Sequence, residues 1–170
     1  MKRCAGFSLI ELVIAIAIMG IVLSISTLSF NSWTRKSTIE KQTRELFTDI
    51  SEARTNAFTR KKVYGIVLQP TSYIMKSYSS EVEYSSSAAA VANGVVIETK
   101  SLENGLKTAS GSDITDTAVV FDTTGFTTSW FLGLTAFVGA VTEPAGLNCV
   151  VIYKSRTNMG KINGTNCEFR

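Results

Sequence analysis

The chain has 170 residues and a formal net charge of +3, room for one globular domain plus an appendage and too little charge for bulk electrostatic capture of nucleic acid. It contains no histidine, which excludes imidazole general bases, Ser-His-Asp triads and His-ligated metal sites together. Its three cysteines, Cys4, Cys149 and Cys167, are too few for a Cys4 zinc site and match no metal-ligand spacing.

The first 30 residues form a short basic leader followed by an apolar run, FSLIELVIAIAIMGIVLSISTLSF. This run, residues 7–30, carries one charge, Glu11. At the helical rise it reaches about 36 Å, enough for a hydrocarbon core of about 30 Å. A cleaved secretory signal would use Ser24-Ile25-Ser26 as its small-x-small site, but signal h-regions span only about 7–15 residues and avoid internal charge. An ordinary signal anchor explains the length and leaves Glu11 unexplained. An unpaired carboxylate costs about 2.5–3.5 kcal/mol at mid-bilayer, and less near a helix end. No cation lies nearby on the same helix face, so a partner is expected from another molecule or from a new N-terminus.

Residues 31–62 continue the helical pattern with Ile39, Leu46, Phe47, Ile50, Ala53, Ala57 and Phe58 as one apolar stripe. Glu40–Arg44 is an attractive four-spaced pair and Glu45–Asp49 a repulsive one. This stretch has eight basic residues against four acidic, whereas residues 63–170 have seven against nine. Arg35, Lys36 and Lys41 stand where lipid phosphates would meet them, or are simply solvated.

From residue 63 the period changes. Residues 63–69 and 71–78 read as strands around Pro70, residues 79–93 as a mobile low-complexity loop, and 95–99, 118–122, 126–137 and 147–153 as further strands. Asn104-Gly105, Thr124-Gly125 and Asn163-Gly164 offer turns. The expected fold class is α+β: a long N-terminal helix, its first half transmembrane, packed on a mostly antiparallel β-sheet or sandwich domain. Asp113, Asp116 and Asp122 lack the D-x-D-x-D-G calcium pattern and read as turn-forming acids. No phosphate loop, nucleophile elbow or S-x-x-K motif occurs. No catalytic residue, metal site or cofactor is expected.

The order K-R-x-x-G followed by F-S-L-I-E-L-V-I-A-I-A-I-M-G-I-V-L closely resembles the N-terminus of type IV pilins and type II secretion pseudopilins. The resemblance implies a leader, residues 1–6, removed by a prepilin peptidase between Gly6 and Phe7, with Phe7 methylated as the new N-terminus. It implies residues 7–30 as the transmembrane and filament-core half of the helix, 31–62 as its amphipathic half, and 63–170 as a β-rich periplasmic or extracellular domain. The implied partners are other pilin or pseudopilin subunits, the peptidase, an inner-membrane assembly platform and, before assembly, the membrane itself. Glu11 becomes the partner for the Phe7 ammonium of another subunit, a pairing strengthened by low dielectric. Many relatives place a proline before the Ser-Phe pair; here Leu28 stands there, so no proline kink is expected.

Residues 46–60, LFTDISEARTNAFTR, resemble the A-R-x-x-A-x-x-R pattern that closes the helix in H-type pseudopilins and FimT-type minor pilins. VVFDTTG at 119–125 resembles their F-D-x-x-G segment, and the region from Cys149 through Gly160-Lys161-Ile162-Asn163 their paired terminal strands. With the domain outside the cytoplasm, a Cys149–Cys167 disulfide is expected between adjacent strands, worth about 3 kcal/mol on the chain-entropy model; two free thiols are the alternative. FimT-type proteins bind DNA through a G-R-x-R loop, for which this chain has Gly160-Lys161-Ile162-Asn163. Arg156 and Lys161 are the candidate DNA contacts, and the lost arginines weaken that reading. The resemblance implies a non-enzymatic minor pilin or pseudopilin of the GspH/FimT type. A major pilin, a DNA-binding minor pilin for natural transformation and a membrane-anchored enzyme are the alternatives.

Overall fold

The computed structural model describes residues 8–140 and 145–169, with the side chains of residues 25–29 excepted. The chain divides into two units, Met1–Arg35 and Lys36–Arg170. One helix, α1 (Leu9–Arg60), runs through both. Its backbone is helical through Leu28, as expected without a proline there. Threonine and serine are weak helix formers, and here their hydroxyls turn back on the helix. Thr43, Thr48, Ser51, Thr55 and Thr59 each donate to the carbonyl four residues earlier, at 2.8–2.9 Å. Lys61 ends the helix in the left-handed region at φ 51°, a conformation usually left to glycine.

In the second unit two antiparallel sheets meet the helix. The first has the order β3-β2-β1-β5, built from β1 (Val63–Leu68), β2 (Ser72–Tyr78), β3 (Val95–Ser101) and β5 (Thr117–Phe121). The second has the order β4-β6-β7-β8-β9, from β4 (Leu106–Lys107), β6 (Leu134–Val138), β7 (Cys149–Ile152), β8 (Thr157–Asn163) and β9 (Asn166–Phe169). The main core joins Ile39, Leu46, Ile50, Ala53 and Ala57 of α1 to Ile66 and Phe121 of the first sheet and Val138 and Ile152 of the second. Burying an aliphatic side chain of this size contributes about 1.5–3 kcal/mol. The expected α+β class, a long helix on antiparallel sheets, is what the chain forms.

Strand β1 is buried at every position because both faces of its sheet are covered. Tyr64, Ile66 and Leu68 join the α1 core, whereas Val63 and Val67 join a second cluster under α2 (Ser87–Ala92). That second helix corrects the reading of residues 79–93 as a mobile loop: they form a 3-10 turn, Glu81–Tyr84, and then α2. The Ser86 hydroxyl caps α2 by accepting from the Ala89 amide at 3.1 Å. Ala90 is fully buried, and its carbonyl accepts from the Tyr78 hydroxyl at 2.9 Å. Low side-chain volume, which reads as low complexity, is what lets α2 approach the sheet. The Lys76 ammonium caps its far end, donating to the carbonyls of Val91 (2.6 Å) and Asn93 (2.9 Å).

Residues 126–137 are not one strand. Only Leu134–Val138 forms a strand; before it Thr127 makes a single bridge to Phe121 and the chain turns, with Thr128 donating to the Val120 carbonyl and Phe131 to that of Thr128. Within this stretch the Trp130 indole N–H donates to the Tyr84 carbonyl at 2.9 Å. The apolar stripe of α1 also needs one correction. Phe58 is exposed, beneath the Lys61 ammonium at 4.2 Å, and Phe47 is half-buried. The Asn-Gly and Thr-Gly turns form as expected, with left-handed φ of 66°, 82° and 62° at Gly105, Gly125 and Gly164.

Candidate functional site

Gly6 and Phe7, the expected cleavage pair, lie outside the described residues. The description starts one residue later, with Ser8 as the N-cap of α1. Glu11 is the third helical residue, and its carboxylate accepts from the Ser8 backbone N–H at 3.4 Å. Ser8-Leu9-Ile10-Glu11 thus has the S-x-x-E spacing of a capping box, and this contact supplies its glutamate half. An anion in the first turn also complements the positive end of the helix dipole. The sequence reading missed this local role. The expectation of a partner from another molecule or a new N-terminus leaves this out, although the S-x-x-E spacing carries it.

Apart from Glu11, residues 9–23 are apolar on every side. Leu9, Ile10, Leu12, Val13 and Ile14 are between 46% and 81% exposed, and Ile16 through Leu23 continue alike. Consecutive helical residues point about 100° apart, so such a run leaves no polar face. Exposed apolar surface of this extent marks a membrane or protein contact. Among the described residues no helix is long and apolar enough to cross a membrane. The side chains of residues 25–29, within the expected span, lie outside that description.

At the other end of the chain, Cys149 and Cys167 form a disulfide, with Cα atoms 6.0 Å apart. They are not on adjacent strands as expected. Cys149 is on β7 and Cys167 on β9, with β8 between them. Strands two places apart in a flat sheet are separated by about 9.5 Å, so this corner coils tightly. Gly160 makes the coil feasible. It pairs with Cys149 on one side and Phe169 on the other, and a Cβ there would lie 2.1 Å from the Glu168 carbonyl oxygen.

The candidate DNA contacts are not brought together. The Arg156 guanidinium stacks over the Tyr153 ring at 5.1 Å in the β7–β8 turn. Lys161 lies five residues on in β8, about 16 Å at the strand rise, opposite Glu168. Asn163 donates to the Glu168 carboxylate at 2.5 Å, so an acid shares this face. The three aspartates are also separately engaged. Asp113 pairs with Lys107, Asp116 accepts from Gln69, and Asp122 accepts from the Thr124 and Phe126 amides.

Two groups were not singled out as sites by sequence reasoning. Arg54, within the A-R-x-x-A pattern, lies 4.8 Å from the Phe121 ring centre and donates to the Tyr153 carbonyl (3.3 Å) and the Thr157 hydroxyl (3.2 Å). It thereby ties α1 to both sheets and brings the two internal motif segments, 46–60 and 119–125, into contact. Its burial lowers its pKa from the ordinary value, a cost the flat guanidinium offsets by stacking. Second, the buried Asp49 carboxylate accepts from the Tyr73 hydroxyl (2.6 Å) and the Lys100 ammonium (2.7 Å). Burial, then Asp49 itself, holds the Tyr73 phenol well above its usual pKa, while the bond to Asp49 raises Lys100. The expected Glu45–Asp49 repulsion is met by giving each acid its own lysine, Lys41 and Lys100.

The family model of the prokaryotic N-terminal methylation motif matches residues 1–27. No curated protein and no solved structure matches the chain. The family match ends within α1 and so carries nothing about the sheets. In residues 1–27 the chain carries the type IV pilin and pseudopilin signature.

Proposed function

We propose that the chain is a minor pilin or pseudopilin of the GspH/FimT type, a structural subunit of a type IV pilus or a type II secretion pseudopilus. The observation that carries this reading is the methylation motif on residues 1–27, with Glu11 as the single acid in an apolar first turn. A prepilin peptidase cuts between Gly6 and Phe7 and methylates Phe7, removing Lys2 and Arg3 with the leader. Residues 7–30 then hold the subunit in the inner membrane. Residues 31–62 form the amphipathic half of the helix, and residues 63–170 form the domain on the periplasmic side.

The assembly step follows from electrostatics. The Phe7 ammonium of an incoming subunit neutralises a Glu11 already in the low-dielectric filament core. A buried charge left without its partner costs about 3–5 kcal/mol, so a misregistered subunit is rejected. The platform in the inner membrane supplies the extraction. The apolar surface of residues 9–23 exchanges lipid for neighbouring helices, which makes the transfer nearly neutral for the side chains themselves. A DNA-capturing role is less favoured, because Arg156 and Lys161 lie apart and Glu168 of β9 stands opposite Lys161.

Mass spectrometry of the protein recovered from its host tests the processing step. The reading expects a chain beginning at N-methylated Phe7, and an intact leader after Gly6→Leu. An unmethylated chain beginning at Met1 in the wild type contradicts it. Abundance in sheared filaments separates a minor subunit from a major one.

A further inference from the structure

The second unit contains a cleft of about 600 Å³ that plays no part in the assembly reading. It lies between the 3-10 turn at Glu81–Tyr84 and the irregular stretch before β6, and its size falls in the usual range for small-ligand sites, about 300–1,000 Å³. Its walls combine three aromatic residues, Tyr84, Phe126 and Trp130, with charges of both signs. Glu81 and Asp122 supply carboxylates, and Lys154 an ammonium. Phe126 is 47% exposed, so part of its ring is open where it lines the cleft. Thr127 and Thr128, on the same wall, have buried hydroxyls with no hydrogen-bond partner, although Thr127 is only 2% exposed. A change of rotamer would turn such a hydroxyl toward a partner in the cleft.

The charge arrangement discriminates between ligand classes. A simple anion meets two carboxylates, and a simple cation meets Lys154. A neutral polyol satisfies both signs, because each hydroxyl donates to a carboxylate and accepts from an ammonium. The aromatic walls add an apolar surface for the C–H face of a sugar ring. One Asp122 oxygen accepts from the Thr124 and Phe126 amides and from the Thr124 hydroxyl, which fixes the carboxylate in the wall of the cleft. We infer that the cleft bounded by Tyr84, Asp122, Phe126, Trp130 and Lys154 is a binding site for a neutral saccharide. The inference is independent of the assembly reading, since none of these residues lies on the N-terminal helix.

Saturation-transfer NMR on the full chain in zwitterionic micelles, whose headgroups are not sugars, tests this. The probes are lactose, cellobiose and N,N′-diacetylchitobiose, with inorganic phosphate and butylammonium as charged competitors. At least one disaccharide is expected to bind saturably, without competition from either ion. Phe126→Ala and Asp122→Asn should each weaken binding at least about tenfold, through loss of ring stacking and of one charged acceptor. Asn keeps an oxygen for the 122–126 turn, so thermal midpoints should stay close to wild type. Phe58→Ala, an exposed aromatic outside the cleft, should bind as wild type. Absence of binding by all three disaccharides, or binding unchanged in both cleft variants, overturns the inference.

Discussion

The Glu11 carboxylate lies 3.4 Å from the backbone nitrogen of Ser8, across the first turn of α1. This gives the only acid of the apolar run two distinct uses. Within its own chain it answers one of the amides that every helix start leaves unpaired. In the proposed filament it answers the ammonium of another subunit. The two uses place the carboxylate at the same end of the helix, so the capped conformation already presents it where an incoming N-terminus arrives.

Gly160 is expected to tolerate no side chain. In Gly160→Ala the methyl would collide with the Glu168 carbonyl, a backbone atom that cannot step aside. Either β9 leaves the sheet or the Cys149–Cys167 bridge fails to close. Thiol titration and urea unfolding should show free cysteine or a loss of about 2–4 kcal/mol, comparable with removing the disulfide itself.

Arg54→Met should destabilise the domain by about 1–3 kcal/mol, because the stack on Phe121 and two donors to the β7–β8 hairpin disappear together. Arg54→Lys should recover little of this, since an ammonium neither stacks flat nor reaches two acceptors in a fork. Equal stability of the lysine variant and wild type in urea would refute the bridging role.

The Asp49–Tyr73–Lys100 group should make the fold sensitive to alkali. Free tyrosine and lysine titrate near about 10 and 10.4. The Tyr73 phenol is held neutral in the fold, so the unfolded chain loses that proton first and stability falls as pH rises above about 10. Lys100 acts in the same direction: its contribution is present below its unfolded pKa and is lost as pH rises through its raised folded value. Lys76 opposes both, since burial lowers its pKa and alkali relieves that cost. Thermal midpoints between pH 8 and about 11 should therefore fall less steeply in Tyr73→Phe than in wild type. Parallel curves would remove the assignment.

The helix and the two strands around Pro70 were legible because their periods, 3.6 and 2, are written directly in the apolar positions. Residues 79–93 were misread for a physical reason. Alanine and serine carry no periodic hydrophobic signal, and the segment is docked by groups from elsewhere in the chain, among them Tyr78 and Lys76 of β2 and Trp130. The pairing of Cys149 with Cys167 was legible from compartment and composition, whereas the strand between them was not. That required Gly160, whose role depends on a backbone approach that leaves no trace in hydrophobic pattern. Arg54 was visible as part of a motif, but its partners lie about 100 residues further along the chain.

Incorporation of Glu11 variants into sheared filaments tests the central claim most directly. Glu11→Ala loses both the cap and the charge, while Glu11→Gln keeps an oxygen for the Ser8 amide and loses only the charge. The account predicts that both variants are processed and retained in the membrane fraction, and that both enter filaments far less than wild type. Wild-type incorporation of Glu11→Gln would show that capping alone suffices and would contradict the proposed pairing with the Phe7 ammonium.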